Sequence, residues 1–162
     1  MKANNLYEIT GPAVISFSGG RTSAYMLYKI LEAHEGKLPA DVVVCYANTG
    51  KEMPQTLDFV KACSEKWNVQ IHWLELRVVD KKFTTVEVDY ITASRDGRPF
   101  AELIDKKNYL PNMIARFCTS ELKVNRISDF VGDDSLTILG IRADEQRRVA
   151  KMRARPDVVV PL

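Results

Sequence analysis

The chain has 162 residues, 46% apolar and 27% charged, with a formal net charge of +2. That length and balance suit one globular domain with a sizeable core, not a disordered or low-complexity chain. So small a net charge does not call for a polyanionic partner, although six Lys or Arg residues fall between Arg142 and Arg155.

The three cysteines, Cys45, Cys63 and Cys118, are odd in number and form no C-x-x-C pair. This argues against a disulfide scaffold and against a zinc site, and it fits a reducing compartment. Residues 1–12 lack a signal-like apolar run, and no stretch nears the ~18 apolar residues of a membrane span. The expectation is a cytoplasmic protein that does not enter a membrane.

In chain order, Ala13–Phe17 is a short apolar run with turn glycines directly after it, the pattern of a buried strand. From Thr22 to about Ala33 the period changes, with Ala24, Leu27, Tyr28 and Leu31 on one helical face. Gly36 and Pro39 end that helix. Asp41–Ala47 is a second strand and Asn48-Thr49-Gly50 a turn. Pro54 opens a helix to about Trp67, with Phe59, Val60, Cys63 and Trp67 along one side. Val69–Leu76 is a third strand.

Strands alternating with helices imply a parallel sheet with right-handed crossovers and helices on both faces. Phe83–Thr92 is compatible with a strand, 95–99 with a turn and Phe100–Lys107 with a short helix. Residues 80–115 are expected to form an irregular insertion near the site. A helix from about Ser120 to Val131 and a buried strand from Ser135 to Ile141 restore the pattern, and an arginine-rich segment follows. The apolar end, Asp157–Leu162, suits a last edge strand or a point where a longer protein is divided. One domain over residues 1–162 is expected, with room for a C-terminal extension.

A strand, a Ser-Gly-Gly loop and a helix form a recipe for holding an anion. The first helical amides lack partners, the helix dipole adds positive potential, and glycine admits close approach. Ser18, Thr22 and Ser23 add hydroxyls, and Arg21 adds a charge. The loop is neither G-x-x-x-x-G-K-[ST] nor G-x-G-x-x-G.

The segment SFSGGRTSAYM resembles the pyrophosphate-binding loop of the N-type ATP pyrophosphatases and the phosphoadenosine phosphosulfate (PAPS) reductases. The resemblance continues through Ala47–Glu52, Arg116–Lys123 and Gly140–Arg148. It implies a Rossmann-like, adenine nucleotide alpha-hydrolase-like fold: an open, mostly parallel twisted sheet. It implies that Ser18, Gly19, Gly20, Arg21, Thr22 and Ser23 bind phosphates and that Asn48, Thr49 and Gly50 meet adenine and ribose. It further implies that Lys123, Arg142, Arg147 and Arg148 face the phosphate or sulfate end.

Two departures matter. Thr22 stands where the family loop carries an Asp associated with magnesium. The chain also stops before the Glu-Cys-Gly-Leu-His segment of assimilatory reductases, and Phe117 replaces the first Cys of the iron–sulfur relatives. An iron–sulfur cluster is therefore not supported, and no residue is assigned to a metal.

Cys118 and Lys123 are the candidates for chemistry, because Cys118 sits among cations that favour a thiolate. Cys45 and Cys63 are assigned to the core, and His34 and His72 receive no role. Glu52, beside the turn, suits a metal, a ribose hydroxyl or plain solvation equally. Arg142 and one of Arg147 or Arg148 are expected to clamp phosphate.

The expected function is a PAPS reductase-like enzyme with ATP or PAPS as ligand and magnesium as an allowed companion. The alternatives are an ATP pyrophosphatase that adenylates an acceptor, such as a nucleic-acid base, or a non-catalytic nucleotide-binding module. A redox protein or nucleic-acid acceptor is a candidate partner, and a homodimer is compatible with the sequence.

Overall fold

The computed structural model describes residues 5–132 and 134–162. The chain alternates β1 (Ala13–Ser16), α1 (Arg21–Ala33), β2 (Val42–Ala47), α2 (Pro54–Trp67) and β3 (Ile71–Val79). It then forms β4 (Lys82–Val88), α3 (Arg98–Lys107) and a helical stretch from Phe117 to Val131. Strand β5 (Leu136–Leu139), helix α4 (Gln146–Arg153) and strand β6 (Val158–Val159) complete it.

The six strands form one sheet in the order β4-β3-β2-β1-β5-β6. All neighbours are parallel except β3 and β4. Residues with 2.0-residue periodicity send alternate side chains to opposite faces. Ile15, Val44, Tyr46 and Trp73 pack with Ala24, Leu27 and Ile30 of α1 and Leu57 and Val60 of α2. Val14, Cys45 and Leu74 meet Ile127 on the other face. Helices therefore cover both faces, as the near-continuous apolar strands required. The chain leaves β1 toward β2 on one side and returns as β5 on the other. The crevice at the carboxyl ends of such strands is where open α/β sheets take ligands.

Several boundaries differ from expectation for identifiable reasons. Residues 80–115 are more regular than an insertion loop, because they contain all of β4 and α3. β3 and β4 are joined by Asp80-Lys81, both left-handed at φ 49° and 62°. That two-residue geometry is the hairpin turn usually signalled by Asn-Gly or Asp-Gly, and Asp-Lys conceals it. The Ser120 helix starts earlier, at Phe117, and carries a π-helical segment at Ser120–Val124. Phe59 and Tyr28 lie toward the rim of their helices' apolar sides, at 37% and 45% exposure, although the helical pattern sets them in line with buried residues. The apolar end at Val158–Val159 pairs in parallel with β5, so the edge-strand reading of that segment holds.

The helical stretch is anchored by two side chains. Leu122 is fully buried against Leu76 of β3 and Leu103 of α3. The buried Arg126 donates to the Glu121 carbonyl at 2.8 Å and to Thr85 Oγ1 of β4 at 2.7 Å. Replacing Leu122 by Ala should destabilise the fold by about 2–5 kcal/mol, through lost burial and a cavity. Denaturant unfolding checks this, and a loss below about 1 kcal/mol would mean that the segment is not held by that packing.

Candidate functional site

The loop after β1 reverses the chain at Gly19, whose φ is +75°. A Cβ there would lie 2.8 Å from Thr56 Cγ2 and 3.3 Å from Tyr46 Cε2, so the backbone is pressed against α2 and β2. Gly20 begins α1 in an extended conformation (φ −103°, ψ 166°), and no side chain caps the helix. A Cβ on Gly20 would meet nothing nearer than Ser18 Oγ at 3.7 Å, so the space outside it is open. Ser23 is buried and braces the loop. Its hydroxyl donates to the Gly20 carbonyl at 2.9 Å and accepts from Ser18 N at 3.2 Å and Ser18 Oγ at 3.0 Å. Ser18 and Arg21 are exposed and Thr22 is half-buried.

The turn after β2 is braced differently. Asn48 is fully buried and donates to Glu75 Oε1 at 2.6 Å and to the Ser94 carbonyl at 2.9 Å. Its Oδ1 accepts from Gly50 N at 3.1 Å. Thr49 donates to Glu52 Oε2 through both N–H (3.1 Å) and hydroxyl (2.7 Å). Glu52 Oε1 lies 3.7 Å from Lys123 Nζ, which brings the π-helical segment to this turn. Gly50 has φ +76°, and a Cβ on it would lie 2.9 Å from Pro99 Cδ. The hydroxyl of the buried Tyr46, whose ring touches the Gly19 position, has no hydrogen-bond partner among the described residues. Burial, then the negative charges of Glu52 and Glu75, hold its proton on well above the ordinary phenol range.

The third element is the end of β5. A Cβ on Gly140 would lie 3.1 Å from Ser23 Cα, so β5 passes directly against the first turn of α1. Arg142, two residues on, is 62% exposed and pairs with Asp144 through Nε at 3.0 Å and Nη2 at 3.2 Å. Arg148 pairs with Glu145 at 3.0 Å, and Arg147 is exposed. The structure thus brings the Ser18–Ser23 loop, Tyr46 and Gly140 together at one edge of the sheet. It joins Lys123 to the turn. It leaves Arg142 and Arg148 on carboxylates of their own segment.

Cys118 is half-buried and packs against the Leu76, Leu103 and Leu122 cluster. Cys45 and Cys63 are buried, and desolvation pushes the Cys45 thiol up to about 12. His34 Nε2 accepts from Ile9 N at 3.0 Å, and His72 pairs with Glu87 at 2.6 Å, so both have structural partners.

The phosphoadenosine phosphosulfate reductase domain family matches residues 12–155 of the chain. The chain belongs to this family. Among relatives, it is 32% identical to the uncharacterized nin region protein ORF290 of Escherichia phage lambda, over 84% of this chain and 50% of that protein. It is 28% identical to an uncharacterized protein of Methanocaldococcus jannaschii, over 92% of this chain and 27% of that one. The chain thus spans half or less of the length of these curated relatives. No solved structure matches it significantly.

PAPS reductase domains are adenine-nucleotide domains, and the α/β sheet described above is theirs. Among the described residues, no group of three or more His, Cys, Asp or Glu side chains could hold a metal ion. No helix among the described residues is long and apolar enough to cross a membrane.

Two residues at this edge, Glu75 and Tyr46, were missed in the sequence. Tyr46 sits in its strand as an ordinary alternating position. Glu75, a charged residue among the apolar positions of its strand, was the one available clue.

Thiol chemistry offers a direct check on this placement. Thiolate is the reacting form, and a raised pKa suppresses it at neutral pH. Iodoacetamide at pH 8 should label Cys118 first and leave Cys45 unmodified in the folded protein, read by peptide mass spectrometry. Equal labelling of Cys45 and Cys118 would contradict the burial described.

Proposed function

We propose that this domain binds an adenine nucleotide through the β1–α1 loop and acts on its sulfonate or phosphate group, as a PAPS reductase-like enzyme. The observation that carries this reading is the uncapped first turn of α1, with open space beside Gly20. Orphan amides and the helix dipole favour an anion there. In this reading the amides of Gly19 to Ser23 hold the phosphates, with Ser18 and Thr22 hydroxyls and the Arg21 charge around them. The turn Asn48–Gly50 receives adenine and ribose. The buried Tyr46 hydroxyl, on a ring that abuts the Gly19 position, supplies a donor to an ordered water.

Arg142, with Arg147 or Arg148, closes the outer phosphate or sulfate. To do so Arg142 exchanges Asp144 for the ligand. An exposed ion pair is worth only about 0–1 kcal/mol, so the exchange costs little against a charge-assisted phosphate contact. Lys123, held toward the turn by Glu52, adds positive charge on the opposite side. In a reductase, a thiolate attacks the sulfonate sulfur and the adenosine bisphosphate leaves. Cys118 is the chain's candidate for that role, because it is the least buried of the three thiols.

A second reading keeps the site and changes the chemistry: cleavage of ATP between its α and β phosphates, with pyrophosphate leaving and an acceptor adenylated. The packing of Cys118 against an apolar cluster favours it, since the donors at the loop serve in-line displacement without a thiol. A nucleic-acid base is the acceptor this reading suggests, with the basic stretch Lys151–Arg155 as its track. A redox protein is the partner that the first reading suggests.

Calorimetry with ATP and with PAPS tests binding. Thiol-dependent sulfite release and pyrophosphate release separate the two reactions. Gly20→Val should abolish nucleotide binding while the protein stays folded, because the added side chain occupies open space rather than core. Arg142→Ala should weaken binding by about 1.5–3 kcal/mol, the scale of a charged hydrogen bond. Full affinity in both variants would place the nucleotide elsewhere.

A further inference from the structure

Glu75 lies in the middle of β3, is fully buried, and has no part in the phosphate loop. Four donors surround its carboxylate. Asn48 Nδ2 and Ser94 N each reach Oε1 at 2.6 Å, Ser94 Oγ reaches Oε2 at 2.9 Å, and Arg77 Nη2 lies 2.5 Å from Oε2. Arg77 also donates to Ser94 Oγ at 3.0 Å and to the Leu76 carbonyl at 3.0 Å. Three of the four donors come from the turn after β2 and the loop before α3, and only Arg77 comes from the strand itself. The two segments also touch directly. The Gly50 backbone leaves no room for a Cβ beside Gly97 and Pro99, and the Lys51 side chain lies over Gly97.

A buried ion pair of this kind is a poor device for stability, because desolvation offsets most of the attraction. What it does set is geometry. The carboxylate orients the Asn48 amide, and the amide in turn accepts from Gly50 N and ties the Ser94 carbonyl. We propose that Glu75 is a positioning residue that clamps the loop at Ser94–Pro99 to the turn Asn48–Gly50, so that this loop becomes the outer wall of the base pocket and sets base selectivity. The inference rests on the nucleotide reading above, and it assigns to the 80–115 region a part in recognition.

The test uses Glu75→Gln and the milder Ser94→Ala, with ATP, GTP and inorganic pyrophosphate titrated by calorimetry. Gln turns one acceptor oxygen into a donor facing other donors. Ala removes one donor and leaves the carboxylate paired. The unmodified protein should prefer ATP to GTP. That preference should fall by about tenfold in Glu75→Gln and about threefold in Ser94→Ala, the range of one strained or lost charged hydrogen bond. Pyrophosphate affinity, which reports the phosphate loop alone, should stay within about twofold, as expected for a site whose contacts are untouched.

A parallel loss of ATP, GTP and pyrophosphate binding in Ser94→Ala would make the clamp merely structural and overturn the inference. So would an unchanged ATP preference in that variant. If Glu75→Gln does not fold, Ser94→Ala alone decides. Equal affinity of the unmodified protein for ATP and GTP also overturns the inference, whereas failure to bind ATP, GTP and PAPS alike overturns the nucleotide reading itself.

Discussion

The site depends on how closely β1 can turn into α1 beneath α2. At Gly19 the backbone takes a positive φ and runs against Thr56, Val60 and the Tyr46 ring, with no room for a Cβ. Any other residue would push α1 away from the sheet or force α2 outward. Because the approach is that close, the chain passes from the sheet's central strand into a helix within four residues. The first amides of α1 are left facing the crevice. Gly140 repeats the device on the other side, where β5 meets Ser23. Two steric constraints therefore set the point at which the helix dipole acts, and the charged residues are arranged around that point afterwards.

Those charges differ in kind. Arg142, Arg148 and their acidic partners are solvent-exposed, so their pairing is weak and exchangeable for a ligand. Glu75 and Arg77 are shielded, and their pairing is rigid. In the proposed reading that division suits binding and release of a polyanion, because the exposed cations exchange partners freely while Glu75 and Arg77 stay paired. The π-helical segment has a similar effect on Lys123. It adds a residue to the helix turn just where Lys123 approaches Glu52, and such segments often lie at functional sites.

Much of this was legible in the sequence. The strands Ala13–Phe17 and Asp41–Ala47 announced themselves by apolar runs bounded by glycine turns, and the alternation with α1 and α2 implied the parallel sheet. The Ser-Gly-Gly loop was legible because its chemistry is local: a turn, an orphaned helix end and small residues in sequence. The β3–β4 hairpin was not, because the left-handed Asp80-Lys81 turn lacks the usual glycine. Tyr28 and Phe59 were misplaced because helical periodicity cannot tell a core face from an exposed groove. Glu75 and Tyr46 were missed, and Gly140 was read only as part of the arginine-rich turn, for a different reason. Their roles arise from contacts between segments 19 to 117 residues apart, such as Gly140 against Ser23 and Glu75 against Ser94.

The central claim is that nucleotide phosphate rests on the amides at the start of α1. The most direct measurement is an amide-resolved NMR titration of isotope-labelled protein with ATP and PAPS. The account predicts that the resonances of Gly19, Gly20, Arg21 and Thr22 move first and farthest, with Gly140 and Gly50 following. Nucleotide binding that leaves those four amides unmoved, and shifts others instead, would contradict it.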